Sequence, residues 1–138
     1  MTVYHLATAH ETLKLGEQFG KELQPNMVVC FFGNLGAGKT TFIKGIAQSA
    51  GIDPASVNSP TFQYLNIYNG TLPIFHFDLY RLENFEDFLS MGFEEMFSQG
   101  GISCVEWSER ITPIIPANAI FISIDHTACG GRKIEIQS

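Results

Sequence analysis

The sequence predicts an α/β fold: a single domain over residues 1–138, with a mixed sheet that includes antiparallel hairpins and carries helices on both faces. Three observations predict it. Residues 27–32, Met-Val-Val-Cys-Phe-Phe, are a short continuous apolar run, as a parallel strand buried on both faces requires. A glycine-rich loop, Gly33-Asn34-Leu35-Gly36-Ala37-Gly38-Lys39-Thr40, follows at once and opens a helical stretch. Downstream, 62–68 alternates apolar and polar residues and ends in Asn69-Gly70, the strongest short hairpin signal.

Taken in order, residues 3–6 read as a short edge strand. Thr8-Ala9-His10-Glu11 is a capping-box pattern that opens a helix through about Leu23, with Leu13, Phe19 and Leu23 among its apolar positions. Pro25-Asn26 breaks the chain before the strand at 27–32. The helix at 40–50 sets Phe42, Ile43, Ile46 and Ala47 on one face and ends near Gly51. A polar, proline-punctuated loop fills 53–60, and the hairpin follows with strands 62–68 and 72–78. Residues 83–97 read as two short helices broken near Gly92. An apolar strand at 101–106 ends in the carboxylate of Glu106, and a helical piece at 108–111 leads into the Pro113 and Pro116 loop. Strands 119–125 and 132–136 form a terminal hairpin across Gly130-Gly131.

Composition narrows the function. A chain that is 45% hydrophobic and 12% aromatic has a core to bury and is not disordered. No apolar run approaches a membrane span, and Met1-Thr2-Val3-Tyr4-His5 shows no basic region followed by a hydrophobic stretch, so a cytoplasmic location is expected. The net charge of −6, with five lysines and three arginines, argues against tight independent binding to nucleic acid, which depends on clustered Lys and Arg. Cys30, Cys104 and Cys129 are widely spaced with no C-x-x-C pair, and Cys30 and Cys104 fall inside apolar strands, as buried free thiols do.

The glycine loop has the form G-x-x-x-x-G-K-[ST], the phosphate-cradling P-loop. Its chemistry explains its residues. Backbone N–H groups from Gly33, Asn34, Leu35, Gly36, Ala37 and Gly38 turn toward phosphate oxygens at a helix N-terminus, where the dipole favours an anion. Lys39 reaches the β- and γ-phosphates and acts in catalysis, and the Thr40 hydroxyl ligates Mg²⁺. Such an enzyme also needs a carboxylate near the metal and a group that orients water. Glu106 and Asp78 both end apolar strands and are the candidates. Elsewhere the ordinary readings stand beside the functional ones. His76 shares a strand face with Asp78 and reads as a hydrogen-bonded structural group ahead of a catalyst. Arg81 is a phosphate contact or a salt-bridge partner. A hydroxyl of Ser59-Pro60-Thr61 bonds a phosphate or holds a turn. Trp107 is a core or base-edge residue, and Arg132 stacks on a base or faces water.

Asn34-Leu35-Gly36-Ala37-Gly38-Lys39-Thr40-Thr41, Ser59-Pro60-Thr61-Phe62, His76-Phe77-Asp78-Leu79-Tyr80-Arg81, Met91-Gly92-Phe93 and Val105-Glu106-Trp107 occur in this order. Together they resemble the TsaE (YjeE) family, bacterial ATPases of tRNA threonylcarbamoyladenosine synthesis. The resemblance implies a P-loop domain that binds ATP and Mg²⁺ and hydrolyses ATP, with low activity alone. The partners it implies are the TsaD and TsaB proteins, which modify an adenosine beside the tRNA anticodon, so that tRNA is met only through the complex. It also implies that Lys39 holds phosphate, that Thr40 and Glu106 form the Mg²⁺ site and that Asp78 is the catalytic acid. Thr41 would contact the α-phosphate side and Arg132 would lie near the base. The absence of an Asn-Lys-x-Asp element favours ATP over GTP. Two other functions compete: a small-molecule kinase, which needs an arginine-rich lid that three scattered arginines do not supply, and a nucleotide-dependent adaptor in which ATP orders the Ser59 loop without being hydrolysed.

Overall fold

The computed structural model describes residues 1–33, 38–60 and 63–138. Its centre is one seven-stranded sheet of order β1-β7-β6-β2-β5-β4-β3. Strands β2 (Val28–Phe32), β4 (Ile74–Asp78), β5 (Ile102–Glu106) and β6 (Ile120–His126) run parallel where they adjoin. β1 (Thr2–Leu6), β3 (Leu65–Tyr68) and β7 (Arg132–Gln137) are antiparallel to their neighbours. The mixed sheet with its two antiparallel hairpins is therefore borne out.

Burial on both sides of β2 dictates the layers. Val29 and Phe31 point to one face, where Phe42, Ile43 and Ile46 of α2 (Lys39–Ser49) cover them, and α1 (Ala9–Gly20) packs on α2. Val28 and Cys30 point to the other, under Phe88 of α3 (Phe85–Ser90), Phe97 of the 3₁₀ turn Phe93–Ser98 and Ile111 of the 3₁₀ segment Ser108–Ile114. Helices thus lie on both faces. The alternation continues through the neighbours: Ile102 and Cys104 share a face with Val29, while Val105 and Phe77 share one with Cys30.

Several expected boundaries shift, each for a local reason. The capping box forms, with Thr8 Oγ1 accepting from the Glu11 N–H at 3.2 Å, and Glu11 Oε1 reaches back to the Ala7 N–H at 3.3 Å. The helix stops at Gly20, short of the expected Leu23. There the chain tightens into turns, with Glu22 N–H donating to Phe19 O and Leu23 N–H to Gly20 O, and Leu23 still reaches the core. The strand expected over 62–68 begins only at Leu65, because Tyr64 has φ 63°, and the expected Thr61 and Phe62 lie outside the described residues. The return strand begins at Ile74 and not at residue 72, since Pro73 has no N–H to give a ladder. α3 starts after Asn84, whose side chain accepts from the Asp87 N–H. The piece expected at 108–111 continues to Ile114 as 3₁₀ turns.

α1 and α2 meet at paired glycines. A Cβ on Gly16 would run into the Phe42 carbonyl oxygen, and one on Gly45 into the Leu13 carbonyl oxygen and the Glu17 nitrogen. An exposed helical Gly→Ala change gains up to about 1 kcal/mol in propensity. Gly45→Ala should reverse that sign through overpacking, by roughly 1–3 kcal/mol. A lower midpoint in urea denaturation at unchanged slope is the expected result.

Candidate functional site

The site stands at the carboxyl edge of the parallel strands, where open α/β sheets take their ligands. Register puts three strand ends together: Phe31 is opposite Glu106 across β2–β5, and Glu106 is opposite Asp78 across β5–β4. β2 delivers Gly33 (φ 124°), and Gly38 (φ 107°) caps the start of α2, a backbone conformation suited to glycine. The expected contacts Asn34, Leu35, Gly36 and Ala37 lie outside the described residues. Around this edge is a cavity of about 500 Å³. Gly38, Lys39, Thr40 and Thr41 line it from α2, Ser59 from the following loop, Asp78, Tyr80 and Arg81 from the end of β4, and Glu106 and Trp107 from the end of β5.

Each charge has its surroundings. Lys39 is 5% exposed; its Nζ donates to Gly33 O at 3.1 Å and lies 5.2 Å from the centre of the Trp107 ring. Thr40 Oγ1 shares a 3.2 Å hydrogen bond with Ser59 Oγ. Glu106 is also 5% exposed, and its Oε2 lies 2.6 Å from Nε2 of His76, a residue with no exposed surface. His76 Nδ1 meets the Tyr68 hydroxyl at 3.1 Å. His76 is therefore a hydrogen-bonded group behind the cavity, as its ordinary reading held, but its partner is a cavity carboxylate.

Burial pushes the Asp78 carboxyl above its ordinary pKa, and the charge of Glu106 adds to the push. The Tyr80 N–H that Asp78 Oδ1 accepts at 3.1 Å, together with His76 and Lys39, pulls the other way. Trp107 adopts φ 60°, a left-handed conformation that costs a non-glycine residue on the order of 1–3 kcal/mol and turns the chain beside the cavity. Lys39 Nζ and Arg110 Cζ both lie over its ring, the latter 5.6 Å from the ring centre, and the ring stands 4.9 Å from the Tyr80 ring. Trp107 is thus a cavity residue and only partly a core one.

Lys39, Thr40, Thr41, Asp78 and Glu106 are brought together as a set, and Ser59, Arg81 and Trp107 join them. Arg132 does not line the cavity. It opens β7, and its Nε, without a hydrogen-bond partner among the described residues, stands where a Cβ on Gly38 would be 3.7 Å away. Sequence reading missed Tyr80, Arg110 and Tyr68. Tyr80 was visible in the His76–Arg81 motif. Tyr68 could have been found by carrying the two-residue period of β3 across the hairpin to His76.

A lysine and a threonine opening a helix behind a buried parallel strand, with carboxylates on the adjoining strand ends, define a P-loop α/β fold. Residues 6–134 match the family described as "Threonylcarbamoyl adenosine biosynthesis protein TsaE", and the chain belongs to the TsaE family. The tRNA threonylcarbamoyladenosine biosynthesis protein TsaE of Treponema pallidum is 38% identical over 129 residues, spanning 94% of this chain and 95% of that protein. Its counterpart from Nostoc sp. is 39% identical over 142 residues, 99% of this chain and 85% of that one. The crystal structure of Bacillus subtilis YdiB superposes with a TM-score of 0.78 at 29% identity, covering 96% of this chain and 82% of that one. The resemblance carried by the motifs is borne out over nearly the whole sequence. Among the described residues no helix is long and apolar enough to cross a membrane.

Cysteine chemistry stays outside the site. Burial pushes the Cys30 thiol up to about 11, with the neighbouring Ser108 hydroxyl pulling the other way, and pushes the buried Cys104 thiol higher still. Cys129 is exposed. A thiol reagent should therefore label one cysteine of the native protein, and all three only after unfolding.

Proposed function

We propose that the chain is a single P-loop ATPase domain that binds Mg-ATP and hydrolyses it slowly when alone. Its hydrolysis serves the formation of N6-threonylcarbamoyladenosine beside the tRNA anticodon, by action on a TsaD–TsaB complex in the cytoplasm. The observation that carries the chemistry is the convergence of Lys39, Thr40, Asp78 and Glu106 on one cavity at the mouth of the glycine loop. Membership of the TsaE family, and the names of its relatives, supply the biological setting.

The donors fit a magnesium nucleotide. A hydroxyl and a carboxylate are hard oxygen ligands, and Mg²⁺ usually takes one or two protein ligands with substrate phosphates and waters. Thr40 and Glu106 would hold the ion, which when bound supplies charge neutralisation at the phosphates. Lys39 is already held at the loop by Gly33 O and Trp107, so its ammonium exchanges one acceptor for phosphate oxygens without a long excursion. Thr41 would lie toward the α-phosphate and Arg132 behind the Gly38 end of the loop, toward the base. Asp78, partly shielded and with one oxygen fixed by the Tyr80 N–H, keeps its other oxygen to orient water at the phosphate. Arg81 is the cavity's arginine among the described residues, short of the lid a metabolite kinase needs.

Phosphate release from Mg-ATP is the measurement, with the protein alone and then with TsaD–TsaB and tRNA. Stimulation by the complex is expected; ATP bound but never hydrolysed in the complex would favour the adaptor. Lys39→Ala should weaken nucleotide binding roughly ten- to a hundred-fold, the worth of a charge-assisted contact. Glu106→Gln should lose Mg²⁺-dependent turnover. Asp78→Asn should spare nucleotide affinity and cut turnover by about a hundred-fold or more. Because burial raises the Asp78 pKa, its ionised form works against folding above the normal carboxylate range; Asp78→Asn should leave the melting temperature at pH 7 unchanged or higher.

A further inference from the structure

Behind the cavity, hydrogen bonds run from one proposed magnesium ligand toward the other. Glu106 Oε2 meets His76 Nε2 at 2.6 Å, and His76 Nδ1 meets the Tyr68 hydroxyl at 3.1 Å. The Tyr68 hydroxyl meets Asn58 O at 2.8 Å and accepts from the Asn58 N–H at 3.1 Å. One residue on, Ser59 Oγ bonds Thr40 Oγ1 at 3.2 Å. Only backbone between Asn58 and Ser59 interrupts the series.

Counting hydrogens fixes one end of it. A carboxylate only accepts, so the hydrogen of the 2.6 Å contact is on Nε2, which donates to Glu106. A phenol has one hydrogen: given to Asn58 O it leaves the Tyr68 oxygen to receive from the ring, and given to Nδ1 it leaves Asn58 O to Asn66 Nδ2, which donates there at 2.9 Å. In either arrangement the imidazole is engaged at both nitrogens, with Nε2–H aimed at Glu106. Tyr68 and His76 share a sheet face, and His76 reaches Glu106 diagonally from its own register partner, Cys104. Neither side chain lines the cavity. Partners of this kind orient a metal's carboxylate without touching the metal.

We propose that His76 and Tyr68 are positioning residues that tie the Glu106 carboxylate to the backbone at Asn58, so that the placement of both magnesium ligands, Glu106 and Thr40, depends on one hydrogen-bonded series. The proposal rests on the magnesium–ATP reading of the site. It adds that the 57–60 segment and the magnesium site are set together: a shift of Asn58 is transmitted through Tyr68 and His76 to Glu106, and through Ser59 to Thr40.

The test is nucleotide affinity with and without Mg²⁺, read by fluorescence of Trp107, the chain's one tryptophan, using a non-hydrolysable ATP analogue. The quantity is the ratio of the dissociation constant in EDTA to that in Mg²⁺. His76→Phe keeps a ring and loses both hydrogen bonds; it should lower the ratio by about ten-fold or more, with affinity in EDTA unchanged. Tyr68→Phe removes one hydroxyl, a change the fold should bear, and should lower the ratio several-fold. His76→Gln, which can still donate to Glu106, should recover part of the loss. A merely structural histidine would weaken binding equally in both conditions, and that result, or an unchanged ratio in Tyr68→Phe, overturns the proposal. If the wild-type ratio is one, the magnesium–ATP reading itself falls; if only the variants fail to differ from wild type, the reading stands and the tie does not.

Discussion

A carboxylate at the end of a central strand, with almost no exposed surface, sets the terms for everything around it. Glu106 sits between β2 and β4 with 5% of its surface open, and ions of its size lose several kcal/mol when taken from water unless a partner compensates. His76 supplies the hydrogen bond that compensates, and leaving a buried polar group without its partner costs on the order of 1–3 kcal/mol. The requirement propagates. The ring of His76 must itself be held, so Tyr68 must project from β3 on the same face, and β3 must pair with β4 in the register Asn66 opposite His76. A hairpin that looks like an appendage to a parallel sheet is thus bound to the chemistry at its centre.

The glycine loop is fixed by a different constraint. β2 is apolar on both sides and needs a helix layer on each, so α2 must return across one face immediately after the loop. That return places Lys39 and Thr40 in the helix's first turn, opposite the ends of β4 and β5. Close passage of α1 over Gly45, with Gly16 facing Phe42, holds α2 against the sheet. On the far side of the cavity Trp107 accepts a strained backbone, and what it gains is contact with Lys39, Arg110 and Tyr80 at once. Tyr80 is 51% exposed despite that contact, so the aromatic wall of the cavity is also part of its rim.

Much of this was legible in the sequence because it follows from periodicity and capping. The apolar run of β2, the box at Thr8 and the breaks at Gly92 and Gly130 are local signals, and an element formed at each although several ends shifted. What was not legible is what depends on neighbours distant in the chain. Asn69-Gly70 did mark a hairpin, but the loop between Tyr68 and Ile74 is longer than the two-residue turn that pair favours. Gly70 is there because a Cβ would strike the Ala50 carbonyl oxygen, and Thr71 N–H donates to that same oxygen at 2.9 Å. Strand ends at Asp78 and Glu106 could be read as acidic, yet not as adjacent: adjacency comes from the sheet order, which composition does not contain. His76 read as a hydrogen-bonded group, and only the register across β4 and β5 shows what it bonds.

The distribution of positive charge bears on how so acidic a chain can serve a tRNA. Of its eight lysines and arginines, Lys39, Arg81, Arg110 and Arg132 stand at or behind the cavity edge, against phosphate-loop backbone, Trp107 or the cavity itself. Four lysines remain for the rest of the surface, and one of them, Lys133, is paired with Glu135 at 3.0 Å. A duplex or stem-loop needs several phosphates neutralised together, and affinity falls steeply when they are not. Half of the chain's cations stand at or behind this one cavity. On the proposed function, the polynucleotide must therefore be held by other subunits. What this chain can pass to them is a change of position at its own cavity rim, where the 57–60 segment and the exposed Tyr80 stand.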